Sequence, residues 1–241
     1  MPQPSITRVY VWSARIVRGF LTATTKPTWS GVENLPDGGF IAAANHITQV
    51  DPLVTARFLY DNGCPPRIMA KASLFKVPVL GWLLRSTDQI PVHRGTSRAR
   101  DALVAGEKAL ELGEVVLLFP EGTLTGDPDM WPMVAKTGIA RLALASRAPV
   151  IPIAQWGATR LLGRYGKMIK PIPRKPVWVA AGPPVDLSDL YDRPADGATL
   201  KEATRRIMAD ITGLLATLRS QEPPAEPFEP QKGKRNGGRA L

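Results

Sequence analysis

The sequence predicts an α/β sheet domain entered through an N-terminal amphipathic helix. Beyond Lys26-Pro27, short apolar runs alternate with helical stretches, the pattern of strands laid against covering helices. Residues 6–24 repeat apolar and aromatic positions at helical spacing, with Arg8, Arg15 and Arg18 interleaved. No segment recurs at a fixed period, so one domain and not a repeat array accounts for the alternation.

In chain order, residues 6–24 form a basic amphipathic helix with Tyr10, Trp12 and Phe20 among its apolar positions. It suits a membrane interface, with arginines meeting lipid phosphates, and it equally suits docking on the protein's own core. The arginines interrupt any signal-peptide apolar region. Strands are expected at 40–45, 67–71, 89–93, 115–119, 150–154 and 177–181, and helices at 52–61, 74–85, 98–112, 137–146 and 200–218. Ser97 suits the cap of the 98–112 helix and Gly113 its end. Residues 221–241 are dominated by Pro, Glu, Gly, Lys and Arg and cannot bury enough to order themselves. The division expected is therefore 1–25 as interfacial helix, 26–220 as the main domain and 221–241 as a disordered tail.

Among 241 residues, 44% are hydrophobic and 22% charged, which excludes wholesale disorder. The 31 Lys+Arg against 21 Asp+Glu leave a net charge of +10, a field that recruits phosphates on lipid, nucleic acid or a phosphorylated small molecule. Cys64 is the only cysteine, so an internal disulfide and a Cys-x-x-Cys metal or redox pair are both excluded, and a reducing compartment fits. No run of 18 apolar residues is present to span a bilayer. His46 and His93 are the only histidines.

Three segments carry chemistry. In the first, an apolar run delivers Asn45 and His46, and a helix begins at Asp51-Pro52. Asp51 suits the N-cap because Pro52 suits the first helical position, and its carboxylate reaches back toward the imidazole. Such a pair fixes the imidazole tautomer while the other ring nitrogen takes a proton from a substrate hydroxyl. A loop histidine beside an ordinary cap reads the same way. In the second, Phe119-Pro120-Glu121-Gly122-Thr123 closes a strand with a carboxylate, a glycine and a hydroxyl, which suits anion binding at the carboxyl end of a sheet or plain turn chemistry. The third, Ile90-Pro91-Val92-His93-Arg94-Gly95, delivers an arginine suited to a phosphate.

Together these segments resemble the glycerolipid acyltransferases of the PlsC type. The Asn-His-x4-Asp motif is matched by Asn45, His46 and Asp51, Phe-Pro-Glu-Gly-Thr by Phe119 to Thr123, Ile-Pro-Val-x-Arg by Ile90, Pro91, Val92 and Arg94, and Val-Ile-Pro-Ile by Val150 to Ile153. The resemblance covers roughly residues 30–185, and four ordered motifs are more specific than any one. It implies a mixed central sheet flanked by helices. It implies that His46 is the general base and Asp51 its partner. Asn45, Arg94, Glu121, Gly122, Thr123 and Lys136 would bind the acceptor, and Pro152 would shape a pocket. The acceptor would be lysophosphatidic acid, with another lysolipid or glycerol 3-phosphate as alternatives. The donor would be acyl-CoA or acyl carrier protein, with no metal or other cofactor. The implied place is an anionic membrane surface on the cytoplasmic side, held peripherally.

The chain departs from many relatives at Leu124-Thr125, where they carry Arg-Ser, and at His93, where they carry Asp. Six basic residues from Arg160 to Lys175, interleaved with Leu161, Leu162, Tyr165, Met168 and Ile169, suit an anionic membrane, coenzyme A phosphates or a solvated loop. A non-catalytic lipid-binding or nucleic-acid-binding protein is the rival reading, drawn from the charge and the basic 232–239 stretch. No helix-turn-helix or zinc-finger wording supports nucleic acid.

Overall fold

A computed structural model describes residues 6–94 and 99–230. Helix α1 (Arg8–Thr24) is capped by Thr7, whose hydroxyl accepts from the Tyr10 amide, and leads directly into β1 (Thr25–Ser30). Strand β2 (Ile41–Ala44), helix α2 (Asp51–Asp61), strand β3 (Pro66–Lys71), helix α3 (Pro78–Ser86) and strand β4 (Ile90–Val92) follow. Then come α4 (Ala99–Glu111), β5 (Val115–Leu118), α5 (Gly138–Ser146), β6 (Val150–Trp156), β7 (Lys175–Ala181) and α6 (Gly197–Arg219).

The seven strands form one sheet in the order β1-β7-β6-β2-β5-β3-β4. Every neighbouring pair is parallel except β6 with β7, so the sheet is mixed, as the sequence implies. Strands β2 and β5 are buried along their whole length, which explains their continuous apolar runs. The pleat sends Ile41, Ala43, Val116 and Leu118 into a core with α4, α5 and α6. Ala42, Ala44 and Leu117 enter the opposite core with Leu21 of α1 and with Val54 and Phe58 of α2.

Because β2, β5, β3, β4 and β6 run the same way, their carboxyl ends share one edge of the sheet. Helix α2 starts at that edge. The long connection from β6 to β7 crosses it too, since the two strands pair antiparallel from Ile153↔Ala181 to Trp156↔Trp178.

Two elements differ from the sequence expectation. Strand β1 was not expected, for Pro27 lacks an amide donor and the run is mostly polar; it is tolerated because β1 is an edge strand. The expected 74–85 helix is two pieces, a 3-10 turn Ala72–Lys76 and α3, because Pro78 forces Val77 into extended backbone. The remaining helices and strands lie where expected, within a few residues. Gly113 ends α4 with φ +77, while Ser97 lies outside the described residues. Of the segment expected as a tail, Phe228 makes a parallel bridge with Met133, and 231–241 lie outside the described residues.

Phe58 anchors α2 to the sheet, fully buried and edge-on to Trp29 of β1 at 5.5 Å. Phe58→Ala is expected to lower stability by about 3–5 kcal/mol through lost contact and a residual cavity, read from the urea midpoint of unfolding.

Candidate active site

The site is built on the turn between β2 and α2. Asp51, with no exposed surface, gathers three donors on one oxygen. Its Oδ2 accepts from the amides of Ile47 at 2.5 Å and Thr48 at 2.7 Å, and lies 3.1 Å from His46 Nδ1. Its Oδ1 has no hydrogen-bond partner among the described residues. An oxygen that already accepts two amides can only take a donor from the ring, so Nδ1 carries the hydrogen. Nε2 is left with its lone pair. The ring also packs on Phe119, 4.4 Å between centroids, which limits its rotation.

Asp51 is not the N-cap expected from the sequence. The cap is Val50, in helical backbone with no side-chain hydrogen bond, and Asp51 is the first helical residue. The carboxylate thus folds back over the preceding turn instead of capping the amides ahead of it.

Glu121, 2% exposed, ties the next layer together. Its Oε1 accepts from the His46 amide at 2.9 Å and its Oε2 from the Met133 amide at 3.1 Å. Burial pushes its carboxyl up to about 8, opposed by those two amide bonds and reinforced by the nearby charge of Asp51. The structure gives Glu121 backbone partners that the sequence did not signal. Each oxygen of Glu121 accepts a backbone amide, so its carboxyl holds the turn.

Asn45 also has backbone partners. Its side-chain amide donates to the Gln155 carbonyl at 3.1 Å and accepts from the Gln155 amide at 2.8 Å, prolonging the β2–β6 pairing beyond the strand end. Pro152 lies buried within β6 opposite Ala43, where its ring meets the space beside Gly182, away from the turn.

Gly122, with φ +72, and exposed Thr123 form the open lip of the turn. The exposed Lys136 comes to this lip. Its amide donates to the Pro120 carbonyl at 3.0 Å, and its ammonium lies 3.7 Å from where a Cβ on Gly122 would stand. Arg94 follows β4 at the same edge, exposed, but three inter-strand steps from β2, roughly 14 Å at ~4.8 Å each. His93 lines a groove of about 730 Å³ along β4 with Lys76, Arg85 and Lys108, which β3 and β5 separate from His46. Cys64 precedes β3 at the opposite edge, and burial pushes its thiol up, so the catalytic edge gains no thiolate nucleophile from it.

Three contributors have partners that the sequence did not signal. Thr125, at one of the family departures, donates its amide to the His46 carbonyl at 2.7 Å and its hydroxyl to the Trp131 carbonyl at 2.6 Å. Arg164 reaches across from the β6–β7 connection to the carbonyls of Thr125 and Asp127. Arg219, the last residue of α6, places its guanidinium 4.0 Å from the ring centroid of Trp131 and 4.5 Å from that of Trp156. No local signal shows what the two arginines meet, because their partners are backbone and rings from distant segments.

A base oriented by a carboxylate, at the carboxyl edge of an α/β sheet, can deprotonate a hydroxyl. The family model described as Acyltransferase matches residues 26–156, more than half of the chain and the whole span from β1 to β6. The chain belongs to the Acyltransferase family. Within that family it is 34% identical over 126 residues to the 1-acyl-sn-glycerol-3-phosphate acyltransferase of Borreliella burgdorferi, covering 52% of this chain and 48% of that protein. It is 33% identical over 144 residues to the Bacillus subtilis protein of the same name, covering 56% of this chain and 66% of that protein. The chain spans about half the length of the curated relatives it matches. Among solved structures, the 1-acyl-sn-glycerophosphate (LPA) acyltransferase PlsC from Thermotoga maritima superposes with a TM-score of 0.64 at 22% identity, over 89% of this chain and 82% of that one. The likeness of fold therefore extends beyond residues 26–156.

The position of Glu121 gives a signed pH dependence. A carboxyl that holds its proton to about pH 8 when folded, against about 4.5 when unfolded, favours the folded state most at low pH. Stability should therefore fall as pH rises from about 5 to 8, by at most about 1.4 kcal/mol per pH unit. Glu121→Gln should remove that slope, as read from denaturant midpoints across the range.

Proposed function

We propose that this protein transfers a fatty acyl group from an acyl-CoA or acyl carrier protein thioester to the free hydroxyl of lysophosphatidic acid, giving phosphatidic acid. The carrying observation is the His46–Asp51 pair, held at 3.1 Å with Nε2 unencumbered, in a chain of the Acyltransferase family. The names of the relatives and the implied acceptor chemistry support the substrate assignment.

In this reading Nε2 of His46 takes the proton of the acceptor hydroxyl as its oxygen forms a bond to the thioester carbonyl carbon. Asp51 stabilises the imidazolium that results. The tetrahedral intermediate collapses by breaking the carbon–sulfur bond, and the imidazolium proton passes to the departing thiolate. Direct transfer requires no acyl-enzyme. Gly122, Thr123 and Lys136 form the lip that receives the polar part of the acceptor, and Arg94 meets its phosphate from the end of β4, three strands away along the same edge. Asn45 and Glu121 act as positioning residues, because their polar atoms are occupied by backbone.

Attachment to the cytoplasmic face of an anionic membrane completes the reading. No helix among the described residues is long and apolar enough to cross a membrane. Helix α1 nonetheless exposes Trp12, Ile16 and Phe20, and α3, which packs beside it, exposes Val79 at 79% together with Trp82. Arg15 is exposed on the same helix and suits lipid phosphates, while Arg18 pairs with Asp61 at 3.2 Å.

His46→Ala should cut turnover by roughly 10²–10⁴-fold with folding intact, measured with palmitoyl- and oleoyl-CoA against lysophosphatidic acid, glycerol 3-phosphate and neutral lysolipids. Near-normal turnover would refute the base. Arg94→Ala should raise KM for the phosphorylated acceptor roughly ten- to hundredfold with donor KM held. A rise in donor KM alone would reassign the phosphate contact.

A further inference from the structure

The β6–β7 connection has a buried root and an exposed apolar tip. Leu161 and Leu162 are buried in the core with α1 and α2, and the Leu162 carbonyl accepts from the Thr48 hydroxyl at 2.8 Å, inside the catalytic turn. Arg164 fastens the next step to the Thr125 and Asp127 carbonyls. Beyond these anchors the chain turns outward. Tyr165, Met168, Ile169 and Ile172 are all exposed, Met168 by 75% and Ile172 by 86%.

Four large apolar side chains left uncovered within eight residues mark a contact surface, not ordinary loop composition. The charges around them say what they contact. Lys167 and Lys170 have no carboxylate partner among the described residues, and the sequence contains no acidic residue from 130 to 185. Apolar tips ringed by unpaired cations match the acyl boundary and phosphate layer of an anionic bilayer. The tip projects from the carboxyl edge of the sheet, where His46 stands.

We propose that residues 163–172 are a lipid-inserting loop, which carries Tyr165, Met168, Ile169 and Ile172 into an anionic bilayer and sets the catalytic turn against its surface. The inference rests on the membrane attachment proposed above and adds a second contact, separate in sequence and structure from α1 and α3. Because its root shares hydrogen bonds with Thr48 and Thr125, the loop fixes which edge of the sheet faces the lipid.

The test uses the full chain with an environment-sensitive fluorophore on Met168→Cys in a Cys64→Ala background, and a second preparation labelled at Ile16→Cys on α1. Vesicles of phosphatidylglycerol with phosphatidylcholine are added, with phosphatidylcholine alone as the neutral comparison. The loop probe should shift to the blue with anionic vesicles and much less with neutral ones. A Met168→Glu/Ile172→Glu double variant should lose about tenfold or more in vesicle partitioning at an unchanged melting temperature. If the α1 probe shifts while the loop probe does not, the loop proposal falls and membrane attachment stands. If neither shifts and the protein stays in solution, both fall. A loop probe that shifts without vesicles as protein concentration rises would make the tip an interface between copies and overturn the proposal.

Discussion

A carboxylate with no exposed surface must find its donors in the protein around it, and Asp51 finds them in the turn that precedes its own helix. Two backbone amides and the imidazole of His46 converge on one oxygen. That convergence fixes the backbone of the turn, the start of α2 and the ring tautomer together. A tighter or looser turn would leave a buried charge short of partners, at a cost of several kcal/mol. The rest of the site is arranged around this constraint.

Glu121 repeats the device one layer out, its two oxygens joining the amides of His46 and Met133. The turn after β5 is thereby bound to the turn after β2. Parallel pairing in the register Ala43↔Leu118 is what brings those two strand ends side by side. The loop from Thr125 to Met133 is then held from outside, by Arg164 on its carbonyls and by Arg219 against Trp131. Both arginines lie beyond the span matched by the family model, so later parts of the chain complete the support of a turn built within it.

The same topology divides the molecular surface. One face of the sheet is closed by α4, α5 and α6, whose apolar sides meet a continuous core. The other carries α1 and α2 and leaves apolar side chains of α1 and α3 uncovered. The β6–β7 connection leaves the sheet at its carboxyl edge, where His46 stands.

By itself the sequence determined the α/β class, most of the strand and helix positions and the contiguous motifs. Continuous apolar runs such as Val115–Leu118 signal buried parallel strands, and His46 and Asp51 are close enough in the chain for their pairing to be local. Strand β1 escaped because Pro27 and its polar neighbours carry no strand periodicity, and an edge position tolerates both. The backbone partners of Asn45 and Glu121 were not legible either. A buried amide or carboxylate must be satisfied, but whether a substrate or the backbone of Gln155 and Met133 does so depends on which strand ends the fold sets side by side. Only the tertiary structure decided that, and with it the reach of Arg164 and Arg219, because these partners are separated by tens of residues and share no local pattern.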